Sequence, residues 1–71
     1  MTELGLYLSK RSVNRSDVSR KTGISKTRLF DLTNRQNAKL LASELYLISL
    51  AIGLDPCDAF KDIYKDLALR E

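Results

Sequence analysis

The amino-acid sequence points to an all-α domain of five short helices. Three observations carry that reading. Apolar residues recur at three- and four-residue spacing, while no stretch alternates apolar and polar side chains long enough to make a strand. Helix-starting signals stand at Asn14, Ser25 and Asp55-Pro56, and helix-ending glycines stand at Gly23 and Gly53. The 71 residues suffice for one small core and no more, so a single domain over 1–71 is expected.

Leu4, Leu6, Tyr7 and Leu8 give a first helix that runs into the polar stretch Ser9-Lys10-Arg11-Ser12. Gly5 within it weakens the helix by about 1 kcal/mol relative to alanine. Asn14 followed by Asp17 resembles a capping box, so a second helix starts near Arg15; it stops at Gly23, which takes the left-handed conformation without a Cβ penalty. Ser25 caps a third helix from Lys26, with Leu29 and Leu32 on its buried side. So short a connection forbids an antiparallel pair, and the two helices must cross steeply.

Thr33-Asn34-Arg35-Gln36-Asn37 reads as a polar loop. A fourth helix is expected from Ser43 to Ile52, with Leu45, Ile48 and Ile52 at helical spacing. Tyr46, Leu47, Leu50 and Ala51 make it apolar nearly all round, which assigns it to the centre of the core. Gly53 ends it. Asp55-Pro56-Cys57-Asp58 opens a last helix, expected over about 56–69, with a cap, a first-turn proline and a carboxylate at the third position. Phe60, Ile63, Tyr64 and Leu67 form its apolar stripe, and Asp66 and Arg70 are spaced to pair on its outside.

The net charge of +3 divides unevenly. Residues 1–40 carry nine Lys and Arg against three Asp and Glu, a net +6, whereas residues 41–71 carry three against six, a net −3. The N-terminal half attracts polyanions. There is no histidine and one cysteine, Cys57, so an internal disulfide is impossible and neither a zinc site nor any other cofactor is expected. No phosphate-cradling glycine loop or catalytic constellation stands out, and a chain this short leaves little room for a concave pocket, so the protein is not expected to be an enzyme. Met1 is followed by Thr2-Glu3 rather than a basic and then hydrophobic leader, and no apolar run reaches spanning length; a cytoplasmic protein without membrane contact is expected.

With these elements placed, the segment from Arg15 to Leu32 resembles the helix-turn-helix of the Cro and phage-repressor (XRE-type) family, and the resemblance extends over most of the chain. Val18, Ile24, Leu29 and Leu32 match the family's buried positions, Gly23 its turn glycine, and Ser19 the small residue where the helices cross. Leu50-Ala51-Ile52-Gly53-Leu54 is similar to the end of the family's core helix. The sequence departs from the pattern at Thr22, at Arg35, and at Leu8 and Thr33, where the family often pairs an arginine with a glutamate.

The resemblance implies a lambda-repressor-like five-helix domain, with its helix-turn-helix at about 15–34. It implies sequence-specific binding of double-stranded DNA by a small transcriptional regulator, a repressor, whose third helix enters the major groove. It assigns base reading to Lys26, Thr27 and Asp31, with Arg28 at the groove edge contacting a base or a phosphate. Lys26 suits guanine O6 and N7, Thr27 a thymine methyl, and Asp31 cytosine N4. Phosphate contacts fall to Arg15, Asn34, Arg35 and Lys39. One such helix covers a short half-site, so a homodimer is expected on a palindrome with half-sites about 34–36 Å apart. The last helix, ending in Leu67-Ala68-Leu69, is the candidate dimer contact.

Other residues have plainer roles. Lys10, Arg11, Arg20 and Lys21 read as a solvated face, Tyr46 and Tyr64 as core or interface, and Cys57 as inert. Phe30 occupies a position that is usually polar in the family; it touches thymine methyls, packs on the first helix, or marks a protein partner, the last two being favoured. Phe30 and Asp31 also leave a second reading open: a protein-interaction module on the same fold, an antitoxin-like or anti-repressor partner.

Overall fold

The computed structural model describes residues 1–70, among which there are five α-helices and no strand. They are α1 (Glu3–Ser9), α2 (Arg15–Thr22), α3 (Lys26–Asn34), α4 (Ala42–Ala51) and α5 (Pro56–Ile63). The boundaries follow local chemistry. The Asn14 side chain accepts from the N–H groups of Ser16 at 2.9 Å and Asp17 at 3.2 Å, satisfying two amides that the first turn of α2 leaves unpaired. α2 closes on Gly23 at φ 80°, a conformation that a Cβ would strain. Ser25 accepts from the Arg28 N–H at 3.1 Å to start α3, and Asp55 accepts from the Cys57 N–H at 2.8 Å to start α5. α4 ends in a Schellman pair, in which the Leu54 N–H bonds the Ser49 carbonyl at 3.0 Å and the Gly53 N–H bonds that of Leu50 at 3.2 Å.

α1 packs on α3 and α5, α2 lies against α3 and α4, and α4 against α5. Leu4, Tyr7 and Leu8 of α1 meet Leu29 and Leu32 of α3, Val18 of α2, Leu45 and Ile48 of α4, and Ala59 and Ile63 of α5 in one core. Thr2 ties the start of α1 to the end of α3. Its hydroxyl caps α1 by accepting from the Gly5 N–H at 3.0 Å and donates to the Leu32 carbonyl at 2.6 Å, while its N–H donates to the Thr33 carbonyl at 3.0 Å. Two carbonyls at the C-terminus of α3 thereby find partners across the domain.

Three expectations are corrected. Thr33 and Asn34 belong to α3 rather than to a loop: Thr33 is buried and its hydroxyl returns to the Leu29 carbonyl at 2.9 Å, so its polarity does not end the helix. α4 is buried only along Leu45, Ile48 and Ser49, with Glu44 beside them, and leaves Tyr46, Leu47 and Leu50 in solvent, so it lies at the side of the core and not at its centre. α5 stops at Ile63 instead of running to about 69. It docks through Ala59 and Ile63, Tyr64 packs half-buried, and residues 65–70 beyond it are exposed; a helical end without packing does not persist on propensity. Phe60 and Leu67 of the expected stripe are exposed, and Asp66 and Arg70 do not sit on a helix. Among the described residues, no helix is long and apolar enough to cross a membrane.

Candidate functional site

The turn from Gly23 to Ser25 sets α3 across α2. Leu29, Leu32 and Thr33 face inward, and with about 100° between successive residues Thr27, Asp31 and Asn34 fall on the opposite side. Lys26 and Thr27 are exposed on the first turn of α3, as a base-reading role requires. Arg15, exposed at the first position of α2, reaches the same surface: its guanidinium carbon lies 5.9 Å from the centroid of the Phe30 ring.

Arg28 is not presented as a groove-edge contact. Its guanidinium forms a two-point ion pair with Glu44, Nε donating to Oε2 at 2.8 Å and Nη2 to Oε1 at 2.9 Å, and Nη2 also donates to the Lys39 carbonyl at 2.7 Å. All three bonds point away from a ligand on the outer side of α3 and toward α4. Arg28 is a positioning residue that holds the first turn of α3 against the start of α4. Lys39 is drawn to that first turn by its own carbonyl, although it follows α3 in sequence; its side chain is exposed.

Asp31 and Arg35, expected to act separately on a base and a phosphate, pair with each other one helical turn apart, Nε donating to Oδ1 at 2.8 Å. The pair removes the isolated carboxylate that would repel a polyanion from this face. Asn34 donates its amide to the Phe30 carbonyl and to Thr33 Oγ1, both at 3.0 Å. The structure therefore leaves Lys26, Thr27, Asn34, Arg35 and Arg15 exposed, pairs half-buried Asp31 with Arg35, and ties Arg28 to Glu44.

Glu44 escaped the sequence reading. Its one visible signal was a carboxylate three residues after a helix start, and Oε1 does accept from the Leu41 N–H at 2.9 Å. The Arg28 guanidinium, helped by that N–H, holds the Glu44 carboxyl below its ordinary pKa against burial, which pushes the other way. A carboxylate whose pKa is lower in the folded state contributes stability that is present above its unfolded value and lost as pH falls through its folded value. Glu44→Gln is accordingly expected to lower the thermal midpoint at pH 7, and the gap to the parent protein is expected to narrow below about pH 4.3. Circular dichroism melts across that range check it; a gap that stays constant with pH would contradict the assignment.

Beside α3 lies a groove of about 270 Å³, with Gly5, Leu8 and Ser9 of α1 on one wall and Arg15, Phe30 and Asn34 on the other. Phe30 edges this groove at 48% exposure, so it packs on α1 in part only. On another side, α4 and α5 share two adjoining apolar hollows of about 410 and 480 Å³, edged by Leu41, Tyr46, Phe60 and Leu67. Tyr46 is 55% and Phe60 53% exposed, and the Phe60 and Tyr64 rings pack tilted at 53° with 5.1 Å between centroids. Comparison with models of known families, with curated proteins and with solved structures gives no match to this chain.

Proposed function

We propose that this protein binds double-stranded DNA sequence-specifically as a small transcriptional repressor of the Cro and phage-repressor type, without a cofactor or catalytic activity. In this reading α2 and α3 act as the helix-turn-helix and α3 enters the major groove. The observation that carries the proposal is the outer side of α3: exposed Lys26 and Thr27 stand on its first turn, set by the Gly23–Ser25 turn, within a half of the chain of net charge +6. Lys26 and Thr27 read bases, with Asp31 available to cytosine when Arg35 turns to a phosphate. Arg15, Asn34, Arg35 and Lys39 bind the backbone.

The protein acts as a homodimer. A helix of nine residues covers a short half-site, and the apolar surface between α4 and α5 is the face for a second copy. The exposed parts of Tyr46 and Phe60 amount to about 100 Å² each. With Leu41 and Leu67 they edge an exposed apolar surface of the kind that marks an interaction site. Of the residues that line the two hollows, Lys61 carries a charge and the rest are uncharged, which suits an apolar contact. This surface replaces Leu67-Ala68-Leu69 as the centre of the dimer, because α5 ends before those residues.

Titration of labelled duplex at several salt concentrations tests the DNA reading. Affinity is expected to fall steeply as salt rises. Lys26→Ala is expected to relax base preference, and Arg15→Ala to weaken binding to all sequences alike and reduce the salt slope by about one. Salt-independent affinity, or equal effects of both substitutions on every sequence, would count against these roles. The second reading, a protein-interaction module, draws on the half-exposed ring of Phe30; it gains if no duplex binds.

A further inference from the structure

We propose that Phe30 and Arg15 together read a thymine, the ring through the base's 5-methyl group and the guanidinium through a phosphate of the same strand. The inference rests on the DNA-binding reading above and names the base this corner of the site takes. Phe30 is not needed to complete the core: its neighbour Leu29 is fully buried, Leu32 closes the same side of α3, and the Phe30 ring stands 48% exposed at the edge of the groove against α1. Leaving half of such a ring in water forgoes stabilisation that burying it would supply. The ring has a cation beside it, since the Arg15 guanidinium carbon lies 5.9 Å from its centroid, within the range of a cation–π contact. Asn34 at the same groove uses its amide hydrogens on the Phe30 carbonyl and Thr33 Oγ1. The surface offered at this corner is therefore an apolar ring next to a positive charge.

Major-groove chemistry supplies a matching pair. Thymine is the one base whose groove edge carries an apolar group, and its 5-methyl projects toward the backbone of its own strand. A side chain that packs on that methyl has a phosphate within reach of its neighbour. Cytosine offers an amino donor and no methyl at this place, and purines offer acceptors that an aromatic ring would strip of water without replacing the hydrogen bond. The Phe30–Arg15 pair thus favours thymine by contact and disfavours the others by desolvation.

Replacing thymines one at a time by deoxyuridine in a duplex the protein has selected removes only the methyl. One thymine per half-site is expected whose replacement weakens binding about fourfold, the equivalent of one buried methyl. The loss is expected to disappear in Phe30→Ala and in Phe30→Gln, the second variant serving if the first fails to fold by circular dichroism. Thr27→Ala is expected to keep it. No uracil effect in the parent protein, alongside salt-dependent duplex binding, overturns this inference and leaves the DNA reading standing. An effect that survives both Phe30 variants and vanishes in Thr27→Ala assigns the methyl to Thr27 and overturns it as well. Absence of any salt-dependent duplex binding overturns the DNA reading and this inference together.

Discussion

Replacing Gly5 with alanine is expected to destabilise the domain by about 1–3 kcal/mol. Helix propensity alone gives the opposite sign, since glycine inside a helix is worse than alanine by about 1 kcal/mol. The reversal comes from the α1–α3 contact. A Cβ at Gly5 would overlap the Thr33 carbonyl oxygen, and it would lie 2.6 Å from Met1 Cγ and 3.0 Å from the Thr33 carbonyl carbon. The methionine side chain can swing away. The carbonyl cannot, because it is backbone at the end of α3 and accepts the Thr2 N–H at 3.0 Å. α1 must therefore move off α3, loosening Thr2 from both carbonyls it holds. For a domain whose whole stability is on the order of 4–10 kcal/mol, that is a large share. Urea denaturation checks it; unchanged or higher stability in Gly5→Ala would contradict the close approach.

On the proposal that the protein binds DNA as a homodimer through the α4–α5 surface, Phe60→Glu is expected to yield a monomer and to weaken specific DNA binding about 10²-fold or more, because the second half-site then has to be bound independently. The effect on the isolated fold should be small, since the ring is already 53% exposed and the core beneath it is formed by Ala59 and Ile63. A carboxylate placed in that apolar contact would have to give up its water, a cost that disfavours the association. Sedimentation equilibrium reads the mass and circular dichroism reads the fold. A variant that remains dimeric places the contact elsewhere, and a monomer with undiminished specific affinity removes the dimer from the mechanism.

What was legible in the sequence was local. Asn14, Ser25 and Asp55 act on amides two or three residues away, and Gly23 acts through its own φ, so a reader needs only the neighbouring residues to place the starts of α2, α3 and α5. What was hidden depends on contacts distant in the chain. Arg28 meets Glu44 sixteen residues later, and nothing in the spacing distinguishes it from Lys26, which stays exposed. Gly5 takes its meaning from Thr33, and the length of α5 from where its packing surface ends. The apolar all-round look of α4 does not separate buried from exposed residues, and only the fold distinguishes Leu45 and Ile48 from Tyr46 and Leu50. Within the candidate site, Lys26 and Thr27 stand as exposed as read, while Arg28, Asp31, Asn34 and Arg35 carry partners the sequence did not show.

Selection of bound sequences from a random duplex pool, repeated with Lys26→Ala, tests whether the outer side of α3 reads DNA. The expected product is an enriched, inverted-repeat site with half-site centres about 34–36 Å apart, and Lys26→Ala is expected to blur one or more of its positions without shifting the spacing. A folded protein that enriches no sequence, or one whose enriched site is the same with and without Lys26, would contradict it.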